Sequence, residues 1–493
     1  MDFIKSLLVV LFLSPASISY AQEPLEGMSE AVEAARVMWG APGLAAAIVK
    51  DGEVVFAEGF GVRRMGESAQ VDEHTGFLIG STTKAFTAFG LGMLVDEGLA
   101  NWDDPVIKHL PTFKVKDPYV TREITLKDIL IHNTGVRTAD YLWVRGLSAG
   151  DQIKQYGNAE QVASFRSRWE YNNLMYVLAG EVIGVISGIP YEDFMKTRIY
   201  QPLGMMETAI SKVDVENIKN ITSAHNLVDG EMAPVWFPYF EGVMAAGSQV
   251  SNLNDMTRWL QFLLNDGEID GVRLVKPETF EFMFKNHIAM PEPQYPAQLE
   301  ADSHMFGYGL AWFVQDYRGQ KMVMHTGSLG GATAIIGLLP EENLGVILYA
   351  NSDHVEYRHA FMYDVFDRYL GMRDKDWSGD LYKDHAALLE RGNAGTEAFL
   401  NAKIAGTNPS LDLEGYVGTY NHKMMGDINI EVKDGKLMAY LPPRMHTPLE
   451  HRNYDSFMTF DQVTGGPFVP LTFTIDVMGE TSGLSFLGFD FKK

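Results

Sequence analysis

A chain of 493 residues, 46% hydrophobic and 21% charged, exceeds one ordinary domain and carries enough apolar surface for substantial cores. Its formal net charge of -24 leaves no basic stripe to neutralise phosphates, which argues against nucleic acid or an anionic membrane surface as a partner. With no cysteine, the sequence excludes disulfides, a thiol nucleophile, cysteine metal sites and a lipid-modified N-terminal cysteine.

The chain opens with MDFIKSLLVVLFLSPASISYA, in which Lys5 is offset by Asp2, Leu7 to Leu13 is apolar, and Ser19 and Ala21 are small. That is the anatomy of a secretory signal over residues 1–21, cut after Ala21 and too short to span a bilayer. A soluble periplasmic or secreted product without stable membrane insertion is expected. GLAAAIVKDGEVVFAEGFG, Gly43 to Gly61, then shows two β-prone runs joined by Asp51-Gly52, a hairpin signal. Far downstream, Met322 to Asn351 gives three more apolar runs broken at Gly and Pro-Glu-Glu-Asn, and these are expected to share one antiparallel sheet with the first hairpin. Between them YNNLMYVLAGEVIGVISG and LNDMTRWLQFLLNDG read as helices of a lobe packed on the sheet. The whole of 22–372 is expected to be one α+β domain. Residues 373–412 turn polar, with a helix-like LYKDHAALLERG and the breakers GTNPS, and read as a linker. Over 413–493, INIEVKDGKLMAYL alternates apolar and polar residues about Asp434-Gly435, and TFTIDVMGETSGLSFLGF reads as a second hairpin. A small all-β, barrel-like domain is expected there, since an isolated hairpin is only marginally stable.

The chemistry centres on GSTTKAF, Gly80 to Phe86. Serine is a favoured helix cap, and an S-x-x-K match arises by chance roughly once in a chain of this length, so the motif alone decides little. The sequel is more informative. TTKAFTAFGLGMLVDEG is apolar nearly all round, which implies a buried helix carrying Lys84 into the interior. Helix geometry places Lys84 on the same face as Ser81, and the helix N-terminus brings positive potential and N–H groups beside that hydroxyl. An ordinary lysine is a poor base for serine; either burial lowers its pKa, or it stays charged and supports a tyrosine phenolate. Tyr171 in WEYNNLMYVLAG, two residues before Asn173, meets the second need. The same Tyr-x-Asn triplet recurs at Tyr156, in a polar stretch without evident anchoring, and at Tyr349, which ends an apolar strand and reads as structural. The third element is His325-Thr326-Gly327-Ser328 on a sheet strand, where glycine permits close backbone approach and Thr326 and Ser328 add hydroxyls.

Taken in order, GSTTK, EYNN and HTGS resemble the penicillin-recognising serine hydrolases: class C β-lactamases, DD-peptidases, and their esterase and D-aminopeptidase relatives. The likeness runs from about Gly43 to Leu370 and includes ITLKDILIHNTGV, QPLGMMET and AAGSQVSNLNDM. It implies a β-lactamase/transpeptidase-like antiparallel sheet with a helical lobe, Ser81 as acyl-forming nucleophile, Lys84 and Tyr171 as the proton-transfer pair, and Asn173 as a substrate amide contact. It further implies an oxyanion hole from the N–H groups of Ser81 and Ser328, with Thr326 and Gly327 beside the substrate and no metal or organic cofactor. The C-terminal region is similar to a lipocalin-like appendage of some members, on YVGTY and the hairpin pattern. His325 stands where β-lactamases and DD-peptidases usually carry lysine. A histidine is mostly neutral at pH 7, so neutral esters or peptides, D-amino-acid-containing ones included, are expected above β-lactam or DD-peptide substrates, and His325 is assigned to proton relay or hydrogen bonding.

Three competing readings exist. GLSAG, Gly146 to Gly150, fits a nucleophile elbow at Ser148 but lacks the surrounding βαβ alternation. A non-catalytic receptor for peptidoglycan fragments or β-lactams would not need Ser81, Lys84 and Tyr171 together. A metal enzyme finds no H-E-x-x-H; His354 and His359 read as a solvated helical face. The acyl group, the deacylating base and the oligomeric state are not legible in the sequence.

Overall fold

The computed structural model describes residues 24–228, 230–237, 239–353, 355–442, 445–461 and 464–493; the expected signal segment and His354 lie outside them. Helix α1 (Met28–Met38) leads into the hairpin β1 (Gly43–Lys50) and β2 (Glu53–Gly61), turned at Asp51-Gly52 as the sequence predicts. The helical lobe follows, with α2 (Thr83–Asp96), the short α3 (Tyr141–Val144), α4 (Asn173–Ser187) and α5 (Leu253–Leu264). The chain then completes the sheet with β3 (Ile288–Ala289), β4 (Phe306–Tyr308), β5 (Phe313–Tyr317), β6 (Gln320–Leu329), β7 (Ala332–Leu339) and β8 (Leu344–Ala350). The eight strands order β2-β1-β8-β7-β6-β5-β4-β3, so the N-terminal hairpin and the downstream strands share one antiparallel sheet as expected.

Both faces of that sheet are covered, which explains why β1 reads as a continuous apolar run instead of alternating. Leu44, Ala46 and Ile48 pack with α1 and with α6 (Tyr357–Leu370), while Ala45, Ala47 and Val49 face the helical lobe. At the centre of the lobe Phe86 of α2 stacks on Trp259 of α5, ring centroids 4.1 Å apart, and Phe89 meets the same indole edge-on. Each such fully buried aromatic side chain stabilises the fold by roughly 1.5–3 kcal/mol. Helix α2 is thereby enclosed on every side, and Lys84 goes inside with it.

Beyond α6, within the segment read as a linker, the helix-like LYKDHAALLERG is the middle of one 25-residue helix, α7 (Trp377–Asn401), buried only at Trp377 and Leu381. Its full extent was not legible because a helix exposed along most of its length needs no apolar stripe. The C-terminal region is a closed eight-stranded barrel: β9 (Gly418–His422), β10 (Gly426–Lys433), β11 (Lys436–Leu441), β12 (Met445–Asn453), β13 (Ser456–Phe460), β14 (Pro467–Ile475), β15 (Thr481–Phe486) and β16 (Phe489–Lys492). Both expected hairpins are present, with Ile430 opposite Ala439 and Phe473 opposite Leu484. Among the described residues, no single helix is long and apolar enough to cross a membrane.

Candidate active site

Ser81 sits in a single 3₁₀ turn, Gly80–Thr82, between a two-residue strand and α2. Two glycines set its surroundings. Gly80 has φ +54°, and a Cβ there would lie 2.6 Å from the backbone nitrogen of Ser328; a Cβ on Gly327 would lie 1.9 Å from the Ile79 carbonyl oxygen. Only residues without Cβ let the turn and β6 approach so closely, and the approach brings the Ser328 N–H beside the turn that carries Ser81. Thr82 and Thr83 close the turn by donating their hydroxyls to the carbonyls of Ile79 and Gly80 at 2.9 and 2.7 Å. Ser81 is therefore free of the capping role: its Oγ instead accepts from Lys84 Nζ at 2.8 Å.

Lys84 is fully buried, and its Nζ also donates to Asn173 Oδ1 at 2.8 Å and to the Ala246 carbonyl at 2.7 Å. Burial lowers its pKa to about 7, against the opposing pull of Asp140. A neutral amine at this position keeps its two N–H groups on Asn173 and Ala246. Its lone pair then points at the Ser81 hydroxyl, which becomes the donor.

Tyr171 and Asn173 arrive together at the start of α4. Asn172 caps that helix through the Leu174 N–H at 3.1 Å. Asn173 bridges Lys84 on its Oδ1 side and Asp140 on its Nδ2 side at 3.2 Å. The Tyr171 ring rests 4.4 Å from His132 and 5.8 Å from Trp169, with Lys84 Nζ 5.0 Å from its centroid. Burial pushes the phenol well above its ordinary pKa, eased only partly by its hydrogen bond with Ser81. His132 has φ +58°, and its Nδ1 accepts the Asn172 backbone N–H at 3.1 Å, which fixes it as a neutral acceptor there.

On β6 the four predicted residues part company. His325 faces the lobe, with Nε2 3.0 Å from the Tyr308 hydroxyl and Nδ1 2.6 Å from the Thr326 carbonyl. Burial, aided by Lys84, lowers its pKa to about 3, so it stays neutral, and both nitrogens have partners. Thr326 is buried and donates its hydroxyl to Tyr295 at 2.5 Å, while the exposed Ser328 accepts from Arg358 Nη1 at 2.7 Å. Arg358 Nη1 also holds the Gly327 carbonyl at 2.8 Å, and Nη2 reaches Glu356. The β5–β6 ladder ends at Phe313 opposite Met324, so residues 325–329 present an edge not paired by β5.

Sequence reasoning missed Asp140, His132, Tyr308 and the Ala246 carbonyl. A single aspartate and a backbone oxygen leave no local signature, although His132 and Ala246 lie in the flanking phrases IHNTG and AAGSQ. Two readings need correction. Tyr156 is anchored after all, donating to the Arg137 carbonyl at 2.9 Å and accepting from Asn172 Nδ2 at 2.7 Å. His359 is buried against Glu356 at 2.8 Å and forms no solvated face. The rejected elbow at Ser148 is a helix cap: its hydroxyl accepts the Asp151 N–H.

Residues 30–365 match the model of the Beta-lactamase family, and residues 402–493 match a domain of unknown function, DUF3471. The chain is 27% identical to an unguisins hydrolase, ungD, of Aspergillus violaceofuscus (strain CBS 115571), over 92% of this chain and 84% of that one. It is 24% identical to protein flp of Staphylococcus aureus (strain COL), over 63% of this chain and 59% of flp. In fold it is similar to the octameric penicillin-binding protein homologue from Pyrococcus abyssi, with a TM-score of 0.64 and 24% identity, covering 95% of this chain and all of that one. It is also similar to SurE, with a TM-score of 0.57 and 19% identity, covering 95% of this chain and 99% of that one.

Proposed function

Because the chain belongs to the Beta-lactamase family, we propose that it is an exported serine hydrolase that cleaves neutral ester or amide substrates through an acyl-enzyme on Ser81. The observation that carries this reading is the 2.8 Å contact between Ser81 Oγ and a buried lysine whose pKa falls to about 7. Of the two ways to activate serine, burial favours the first: Lys84 is partly neutral at physiological pH, whereas Tyr171 is held as the phenol.

In acylation Ser81 Oγ attacks the carbonyl carbon as its proton passes to Lys84 Nζ. The oxyanion forms against the N–H groups of Ser81 and Ser328, which the two-glycine approach brings together. Collapse breaks the bond to the alcohol or amine, which leaves with the Tyr171 proton; Lys84 returns a proton to Tyr171. Water then attacks the acyl-enzyme, and the same groups run in reverse to regenerate Ser81. Asn173 positions the acyl-side amide, and the free edge of β6 receives the substrate backbone. His325 remains neutral and Arg358 is occupied by Gly327, Ser328 and Glu356, so a substrate carboxylate gains no dedicated cation from either residue. That favours neutral esters and amides over β-lactams and DD-peptides.

The test is intact-mass analysis after incubation with a fluorophosphonate, a penicillin and a D-amino-acid amide, with Ser81→Ala alongside. Adducts on the wild type that are absent from the variant support the assignment. Equal labelling or turnover by the variant sinks it. A penicillin adduct that hydrolyses rapidly moves the substrate class to β-lactams.

A further inference from the structure

The short helix α3 belongs to two places at once. At its start Asp140 accepts from Asn173 Nδ2 and from Trp143 Nε1 at 3.2 and 3.3 Å, so it ties into the network around Lys84. The next residue, Tyr141, turns toward the barrel and meets Phe486 of β15 edge-on, 6.0 Å between centroids. Trp143 and Trp236 both rest edge-on against Phe240, at 4.9 and 5.2 Å between centroids. Just after α3, the buried Arg145 donates to the Pro442 carbonyl from Nε at 2.8 Å and from Nη2 at 2.5 Å, and from Nη1 to the Met425 carbonyl. The barrel is thus docked through backbone oxygens onto the element that borders the catalytic network.

Between the two domains this docking leaves a cavity of about 500 Å³, walled by Tyr141, Trp236 and Phe240 from the lobe and by Met445, Phe468 and Phe486 from the barrel. Its size falls in the range of ordinary ligand sites, and its walls combine aromatic and aliphatic side chains with a few polar ones, Thr447, Thr459 and Asp461 among them. Two of them, Trp236 and Phe468, remain 53% and 41% exposed, an unusual expense of large apolar surface beside an already buried interface. We propose that this cavity is an acyl-side substrate subsite taking an aromatic or large aliphatic side chain of a peptide-like substrate, so that the barrel forms half of the binding site. This rests on the hydrolase reading above. Three hydrogen bonds link Ser81 through Lys84 and Asn173 to Asp140, and Tyr141 follows directly.

The experiment compares kcat/KM for p-nitrophenyl acetate with that for a p-nitrophenyl peptide ester carrying a distal phenylalanine, in the full-length wild type and in Trp236→Ala, Phe468→Ala and the double variant. The half-exposed positions of both side chains allow the variants to fold. The wild type is expected to favour the peptide ester, and the ratio of the two constants is expected to fall about tenfold in the double variant. An unchanged ratio overturns the subsite, and so does a parallel loss on both esters. A second arm keeps the test separate from turnover. Calorimetric titration of Ser81→Ala with the matching N-acetyl phenylalanine peptide amide should show binding with negative heat-capacity change, lost when Trp236 and Phe468 are also replaced. If the wild type hydrolyses neither ester, the hydrolase reading fails, while this titration still decides the cavity: no binding overturns it.

Discussion

Replacing Lys84 by methionine isolates the base from the rest of the site. Burial moves the amine from an ordinary value near 10.4 to about 7. At pH 7.5 about three quarters of the lysine is then neutral, against about one part in a thousand for an exposed lysine. The fold thus supplies roughly three powers of ten in available base, in line with the 10²–10⁴ that a positioned general base contributes. Methionine has similar length and fills the same volume. The loss leaves Asn173 Oδ1 and the Ala246 carbonyl without their donor, at about 1–3 kcal/mol each, offset in part because no amine has to be desolvated. The expected result is a folded protein whose Ser81 reacts 10²–10⁴ times more slowly. The assay is the rate of fluorophosphonate adduct formation, followed by intact mass from pH 5.5 to 9.5. In the wild type the rate should climb as the lysine loses its proton, with a midpoint near pH 7. It should then hold level to pH 9, because Tyr171 ionises only above its ordinary range and His325 is already neutral. The variant should be slow and flat across that range. A variant that keeps the wild-type rate, or the same midpoint, would refute Lys84 as the base.

Other perturbations probe the neighbours. Asp140→Asn removes the charge that raises the Lys84 pKa while keeping an acceptor for Asn173, so the midpoint of the same pH profile should move to lower pH; a move upward would contradict the electrostatics. Tyr171→Phe keeps the ring against His132 and Trp169, so thermal stability should change little while kcat/KM falls about 10²–10⁴-fold through loss of the proton donor. Gly80→Ala places a Cβ 2.6 Å from the Ser328 nitrogen at φ +54°. It should cost about 1–3 kcal/mol of stability and, by displacing an oxyanion donor, about 10²–10³ in acylation rate. Calorimetry and the adduct assay read the two effects separately, and a variant with wild-type values in both would show that the approach of β6 is not constrained.

The sequence by itself determined most of the elements and the candidate site residues. Asp51-Gly52 and Asp434-Gly435 turned their hairpins where expected because such turns are set by local backbone preference. An apolar run around Lys84 left no polar face for the amine, so its burial followed from α2 alone. The order Ser81, Tyr171, His325 was equally legible, since each sits in a motif of adjacent residues. Tertiary structure decided what those residues meet. The pKa of Lys84 depends on its burial and on Asp140, and its amine is held by the Ala246 carbonyl 162 residues away. Tyr156 looked unanchored because its partners, Arg137 and Asn172, lie outside any local period. The hydroxyls of Thr326 and Ser328, adjacent on paper to the substrate, are drawn to Tyr295 and Arg358 by elements that only the folded sheet brings near. Only the middle of helix α7 was legible, because an exposed helix imposes little periodicity, and the docking of the barrel through Arg145 escaped because backbone carbonyls carry no sequence. Local patterns record what a segment buries and how it turns; long-range hydrogen bonds and fields are written only in the contacts between segments.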